Sequence, residues 1–265
     1  MQFEGTLRKM STNYGSTVRY SLRIGEDLLF MNRLLGTTVR LEFSGECHCV
    51  CGKVDTSFFR MNFCRECFFT RPEASPSILK PELSKAHLGI EERDLEFEKR
   101  LQLQPHYVYL AKTDRIKVGV TRNTQMPYRW MDQGAKSAMI LLEVPNRYLA
   151  GEAEVALKDH FTDKTSWQAM LKDLGTDDEL GAAYERAAEV LPASLKKYLY
   201  QHPEEWHMNY PIRHQIDKVK SVSFKAAGDF LEGELWGIRG QYLITSAGVF
   251  NVRSHAGYLV QLTID

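Results

Sequence analysis

The chain has 265 residues, with 34 Lys and Arg set against 34 Asp and Glu, so its formal charge is zero, while 43% of it is hydrophobic. That composition excludes a disordered tail protein and can supply a sizeable core in one large or two to three small domains. Zero net charge removes any global pull toward nucleic acid, so a phosphate-binding surface must be a local patch.

Residues 1–46 read as a β-rich region, with alternating patterns at 5–7, 17–22 and 37–43 and a short helix expected over 26–35 that ends at Gly36. Next comes a Cys-rich, zinc-binding-like module and linker, 47–104. All 5 cysteines of the chain fall here, as Cys47-His48-Cys49-Val50-Cys51-Gly52 and Cys64-Arg65-Glu66-Cys67. An odd number of close thiols in a reducing cytosol is better explained by a metal than by disulfides. Zinc needs four ligands at tetrahedral corners, and a two-residue gap lets a short turn present two of them. Cys64 and Cys67 have that gap, and His48 stands three before Cys51, which Gly52 follows. The preferred structural Zn²⁺ set is His48, Cys51, Cys64 and Cys67, with Cys47 or Cys49 as a replacement for the histidine; the bland alternative is metal-free thiols. The Pro/Ser-rich stretch 71–82 reads as loop, and the mixed charges of 91–100 as a solvated helix face or linker.

From 105 to 168 the pattern becomes compact α/β, with strands over 107–111, 116–121 and 138–144 and helices over 127–133 and 150–161. A helical segment, 169–205, follows, its Thr176-Asp177-Asp178-Glu179 matching a capping box. Residues 169–189 carry two basic against six acidic side chains and are a poor face for phosphate. The region 206–265 returns to β character as a small sheet or barrel. The fold class expected is α+β. No stretch approaches the roughly 20 apolar residues of a membrane span, and the N-terminus lacks a signal-peptide pattern. A cytoplasmic protein without a membrane partner is the expectation.

Tyr107-Val108-Tyr109-Leu110, Lys117-Val118-Gly119-Val120-Thr121, Arg129 and the run from Glu154 to Phe161 resemble the GIY-YIG nuclease superfamily, and more closely its phage-type branch, whose second motif reads Lys-Ile-Gly. Over nearly its full length the chain also resembles the bacterial domain of unknown function 2797 family, through the runs at 106–110, 117–122, 129–135 and 237–244. The nuclease resemblance implies that Tyr109 and Lys117 face one cleft, that Arg129 binds the scissile phosphate, and that Glu154 holds one Mg²⁺ or Mn²⁺. Tyr107 and Gly119 would line the substrate path, and Arg122 is a rival phosphate ligand. A guanidinium and a hard cation both stabilise the charge that builds on a phosphodiester under attack. Helical spacing favours Glu154 over Glu152, because Glu154 borders the stripe defined by Leu157 and Phe161. Lys117 stands where relatives carry a second tyrosine, and a solvated lysine is a phosphate ligand before it is a base.

The resulting expectation is a metal-dependent nuclease acting on DNA or RNA. Two alternatives are a catalytically inactive nucleic-acid-binding protein using the same cleft, and a zinc-stabilised protein-interaction factor. In bland terms, Tyr107 and Tyr109 could be strand core, and Arg129 and Glu154 a structural ion pair.

Overall fold

A computed structural model of the chain describes residues 1–161, 166–176 and 178–265. Asp177 of the expected capping box, and residues 162–165 within the expected central domain, lie outside the described residues. The first strands are β1 (Gln2–Thr6), β2 (Ser11–Asn13), β3 (Arg19–Ile24), β4 (Asp27–Phe30), β5 (Thr38–His48) and β6 (Val54–Asp55). Helices α1 (Arg65–Thr70), α2 (Pro76–Leu79) and α3 (Leu95–Gln102) lead to β7 (His106–Lys112), β8 (Ile116–Arg122), α4 (Tyr128–Asp132) and β9 (Ser137–Val144). Then come α5 (Arg147–Leu157), α6 (Trp167–Leu171), α7 (Leu180–Val190), α8 (Ala193–Lys196) and β10 (Trp206–His207). The chain closes with β11 (Ser221–Val222), β12 (Phe230–Arg239), β13 (Tyr242–Thr245), β14 (Gly248–Asn251) and β15 (Tyr258–Ile264). The fold is mixed α and β and strand-rich, and none of the described helices is long and apolar enough to cross a membrane.

Two compact units result, one from Met1–Phe69 with Met208–Asp265, the other from Thr70–His207. In the first, a sheet runs β1-β15-β5-β12-β13-β14-β11 with β6 paired to β5, and β2-β3-β4 form a smaller sheet. Alternation explains β5: Val39, Leu41 and Phe43 are each 2% exposed or less, while Arg40 and Glu42 point outward, Arg40 pairing with both Glu42 and Glu232. Exposed ion pairs contribute under about 1 kcal/mol, whereas each fully buried aliphatic side chain contributes roughly 1.5–3 kcal/mol, so the inward face sets the register. The N-terminal strands join the C-terminal sheet, β1 pairing antiparallel with β15.

Three local expectations are corrected. The helix expected over 26–35 is β4 followed by a 3-10 turn at Met31–Leu34. Gly25, at φ 56°, reverses the chain so that β3 and β4 form a hairpin, and Asn32 pins the turn by accepting from the Tyr20 amide and donating to the Val18 carbonyl. The stretch 71–82 is a string of short helical turns in which Pro72, Pro76 and Pro81 each stand at the start, where a missing N–H costs nothing. The capping box does not form: α7 begins only at Leu180, and Thr176 Oγ1 accepts instead from the Asp178 amide at 3.1 Å.

The second unit is built on the antiparallel sheet β10-β9-β7-β8. Val108 and Leu110 of β7 and Ile116 and Val118 of β8 pack with Ala150, Ala153 and Leu157 of α5 and Ala183 and Ala187 of α7 in one core. Tyr107 and Tyr109 alternate with these residues and stand on the opposite sheet face. Trp130 of α4 is fully buried there, its ring 5.9 Å from that of Tyr109 and 5.8 Å from that of Trp206.

Candidate active site and metal centre

β5 leaves its pairing with β6 at His48, and the chain turns tightly through Cys49–Gly52, the Gly52 amide donating to the Cys49 carbonyl and Gly52 taking φ 88°. Cys64 enters α1, which carries Cys67. The thiols of Cys49, Cys51, Cys64 and Cys67 all lie within 4.8 Å of one another, and Cys51 Sγ is 3.8 Å from Cys64 Sγ. An ion held at about 2.3 Å from four tetrahedral sulfurs would space them by roughly 3.8 Å, so the cluster could hold a metal ion. The Cys64 amide donates to Cys49 Sγ at 3.3 Å. Burial opposes ionisation of Cys49, but hydrogen bonds from Cys64 and Cys51 outweigh it and hold that thiol at about 7, which suits a thiolate ligand. Phe58 and Phe63 pack against the cluster.

His48 does not join this group, and Cys49 occupies the fourth position. Successive side chains of a strand point to opposite faces, so His48 turns with Glu46, its Nε2 3.0 Å from Glu46 Oε2. Cys47 is buried away from the other thiols, its Sγ on the Thr56 carbonyl, and burial pushes it up to about 11.

In the second unit the β7–β8 hairpin aligns Tyr107 with Thr121, Tyr109 with Gly119 and Ala111 with Lys117. The Tyr109 ring covers Gly119 so closely that a Cβ there would lie 2.6 Å from the tyrosine Cζ and Oη. The close approach at Gly119 is thus made by Tyr109. Tyr109 is fully buried, and its hydroxyl donates to Gln133 Oε1 at 3.0 Å. Burial raises its pKa; the charge and hydrogen bond of Arg129 oppose that rise, and the charge of Glu154 adds to it. Arg129 of α4 and Glu154 of α5, distant in sequence, therefore act on one buried hydroxyl. Lys117 is only 6% exposed, whereas Tyr107, Arg122, Arg129 and Glu154 are half-buried. Tyr107 packs edge-on to Tyr200.

Sequence reasoning missed Arg147, the first residue of α5. Its Nε and Nη2 donate to the Ser77 and Ile78 carbonyls at 2.8 and 2.7 Å. Burial lowers its pKa to about 10; Glu154 opposes the shift, while Arg129 and Arg122 reinforce it, so these charges share one neighbourhood. A signal was available: an arginine opening a helix whose first turn has no acidic residue opposes the helix dipole, which needs a tertiary reason. The arrangement offers three guanidiniums and two carboxylates, Glu154 and Glu82, a set that can grip phosphate oxygens and leave a hard oxygen ligand for a divalent cation.

Fold and clusters together define a strand-rich α and β protein carrying a four-cysteine knuckle and an arginine-rich site on a separate unit. The family described as Protein of unknown function (DUF2797) matches residues 36–260, and the chain belongs to that family. No curated protein and no solved structure matches the chain.

Proposed function

We propose that the chain is a divalent-metal-dependent nuclease of the GIY-YIG type, acting on phosphodiester bonds of DNA or RNA, with Zn²⁺ in the four-cysteine knuckle as a structural ion. The observation that carries this reading is the action of Arg129 and Glu154 on the same Tyr109 hydroxyl, with Arg147 and Arg122 in the same field. In it Arg129 and Arg122 hold the phosphate, and Arg147 ties the 77–78 segment to the start of α5. Glu154 would hold Mg²⁺ or Mn²⁺, which when bound supplies charge neutralisation and an activated water. Tyr109 orients Arg129 from beneath and does not meet substrate.

A second reading, nucleic-acid binding without cleavage, is favoured by the burial of both Tyr109 and Lys117, which leaves neither side chain of the two strand motifs exposed to take a proton. One experiment separates the two. Labelled single- and double-stranded DNA and RNA are incubated with the chain and Mg²⁺ or Mn²⁺, beside Arg129→Ala and Glu154→Ala. Metal-dependent cleavage that falls at least a hundredfold in both variants supports the nuclease. Binding without cleavage supports the second reading, and cleavage undiminished in both variants removes the assigned roles.

A further inference from the structure

The first unit holds a groove of about 780 Å³ beside the cysteine knuckle, lined by the end of β1 and the loop after it, the turn at Cys49–Gly52, the 61–63 loop and the residues before β15. In a chain of zero net charge its composition is one-sided. Arg8, Lys9 and Arg253 line it, and among the described residues no Asp or Glu does. Its apolar surface comes from Val50, 64% exposed, Met61, 39% exposed, and Phe63.

The groove is also rigidly built. Asn62 Nδ2 donates to the Arg253 carbonyl at 3.0 Å, fastening the 61–63 loop to the segment that carries Arg253. Met61 and Asn62 take φ 51° and 61°, a left-handed conformation that a methionine rarely adopts, and the fold holds it where both residues face the groove. On the opposite wall the Leu7 amide donates to the Tyr258 carbonyl and the Gly257 amide to the Leu7 carbonyl, fixing the strand end from which Arg8 and Lys9 emerge.

We infer that this groove binds a single strand of nucleic acid, its phosphates on Arg8, Lys9 and Arg253 and a base against Met61 and Phe63. Cations beside exposed apolar side chains and the half-buried ring of Phe63 match a single strand, whose bases are free to stack; a duplex hides them. An acidic peptide would use the cations and leave the apolar wall idle. The inference does not rest on cleavage in the second unit, because neither Glu154 nor Arg129 contributes to the groove.

The test is fluorescence anisotropy of the full, zinc-loaded chain with labelled twelve-nucleotide single-stranded DNA and RNA, without Mg²⁺ or Mn²⁺ so that hydrolysis cannot interfere. Arg8→Glu, Lys9→Glu and Arg253→Glu together should weaken binding of at least one strand tenfold or more and flatten its salt dependence, since each lost phosphate contact removes about 0.7 from the slope. Met61→Ala should weaken it about threefold by loss of apolar base contact, less than the loss of an aromatic stacking platform brings. Lys218→Glu, an exposed charge reversal outside the groove, is the control and should bind as the natural chain does. If the triple variant loses zinc or melts early, Arg8→Glu alone, at an exposed position, carries the test. An unchanged Kd and salt slope in the charge-reversed chain would overturn the inference, as would a polyglutamate peptide binding as tightly as either strand.

Discussion

His106 opens β7 with none of its surface exposed, and its Nδ1 bonds the Gln104 carbonyl at 2.7 Å. Burial lowers its pKa from 6.5 to about 4; the hydrogen bond opposes the shift, and the charges of Arg147 and Arg122 add to it. The unfolded imidazole therefore takes up a proton where the folded one does not. Stability is fully present above pH 6.5 and is lost as pH falls from there toward 4, by about 3 kcal/mol in all. His106→Gln should lack this loss. Urea unfolding of the two chains at pH 7 and pH 4.5 checks it, and a stability difference that stays constant with pH would contradict the assignment.

At the scale of elements, the knuckle joins a strand end, a tight turn and a short helix whose buried core is little more than the thiols with Phe58 and Phe63 against them, so a bound ion would carry much of their stability. Cys64→Ser should reduce bound zinc, measured by elemental analysis, from one ion per chain to background, and lower the first unit's melting temperature. Cys47→Ser and His48→Ala should each retain one ion, because the Cys47 thiol lies on the Thr56 carbonyl and the His48 imidazole on Glu46, both apart from the cluster. Zinc lost on His48→Ala and kept in Cys49→Ser would restore the histidine as a ligand. On α5, Gly151 plays a different part: a Cβ there would collide with the backbone of Pro81 and Glu82, so the helix takes the 81–83 turn against itself only because the position is glycine.

Across the whole molecule, the first unit is discontinuous and the second is one unbroken stretch inserted within it. The inserted stretch owns a complete core, from Val108 on the sheet to Leu195 after α7. Residues 70–207 expressed alone should unfold in a single cooperative transition, as calorimetry would record; the absence of any transition would mean that this core is insufficient. The first unit closes only when its last strand is made, since β15 lies between β1 and β5.

What was legible in the sequence was local. Short apolar runs placed β7, β8 and β9 to within a few residues, because most of their residues are buried on both faces of the sheet. The cysteine spacing marked a group that could hold a metal ion, because coordination geometry leaves few ways to space ligands along a turn. Other features depend on residues that meet only after folding. The exchange of His48 for Cys49 turns on which way a strand-end side chain points. Arg147 enters the arginine-rich site through carbonyls at Ser77 and Ile78, far earlier in the chain. The hairpin in place of a helix at 26–35 follows from pairing with β3, since local propensity, worth a few tenths of a kcal/mol per residue, yields to a sheet that buries Leu22 and Ile24. Pattern along the chain sets which face of an element is apolar, but only packing, which acts between elements, selects the charges that share a site.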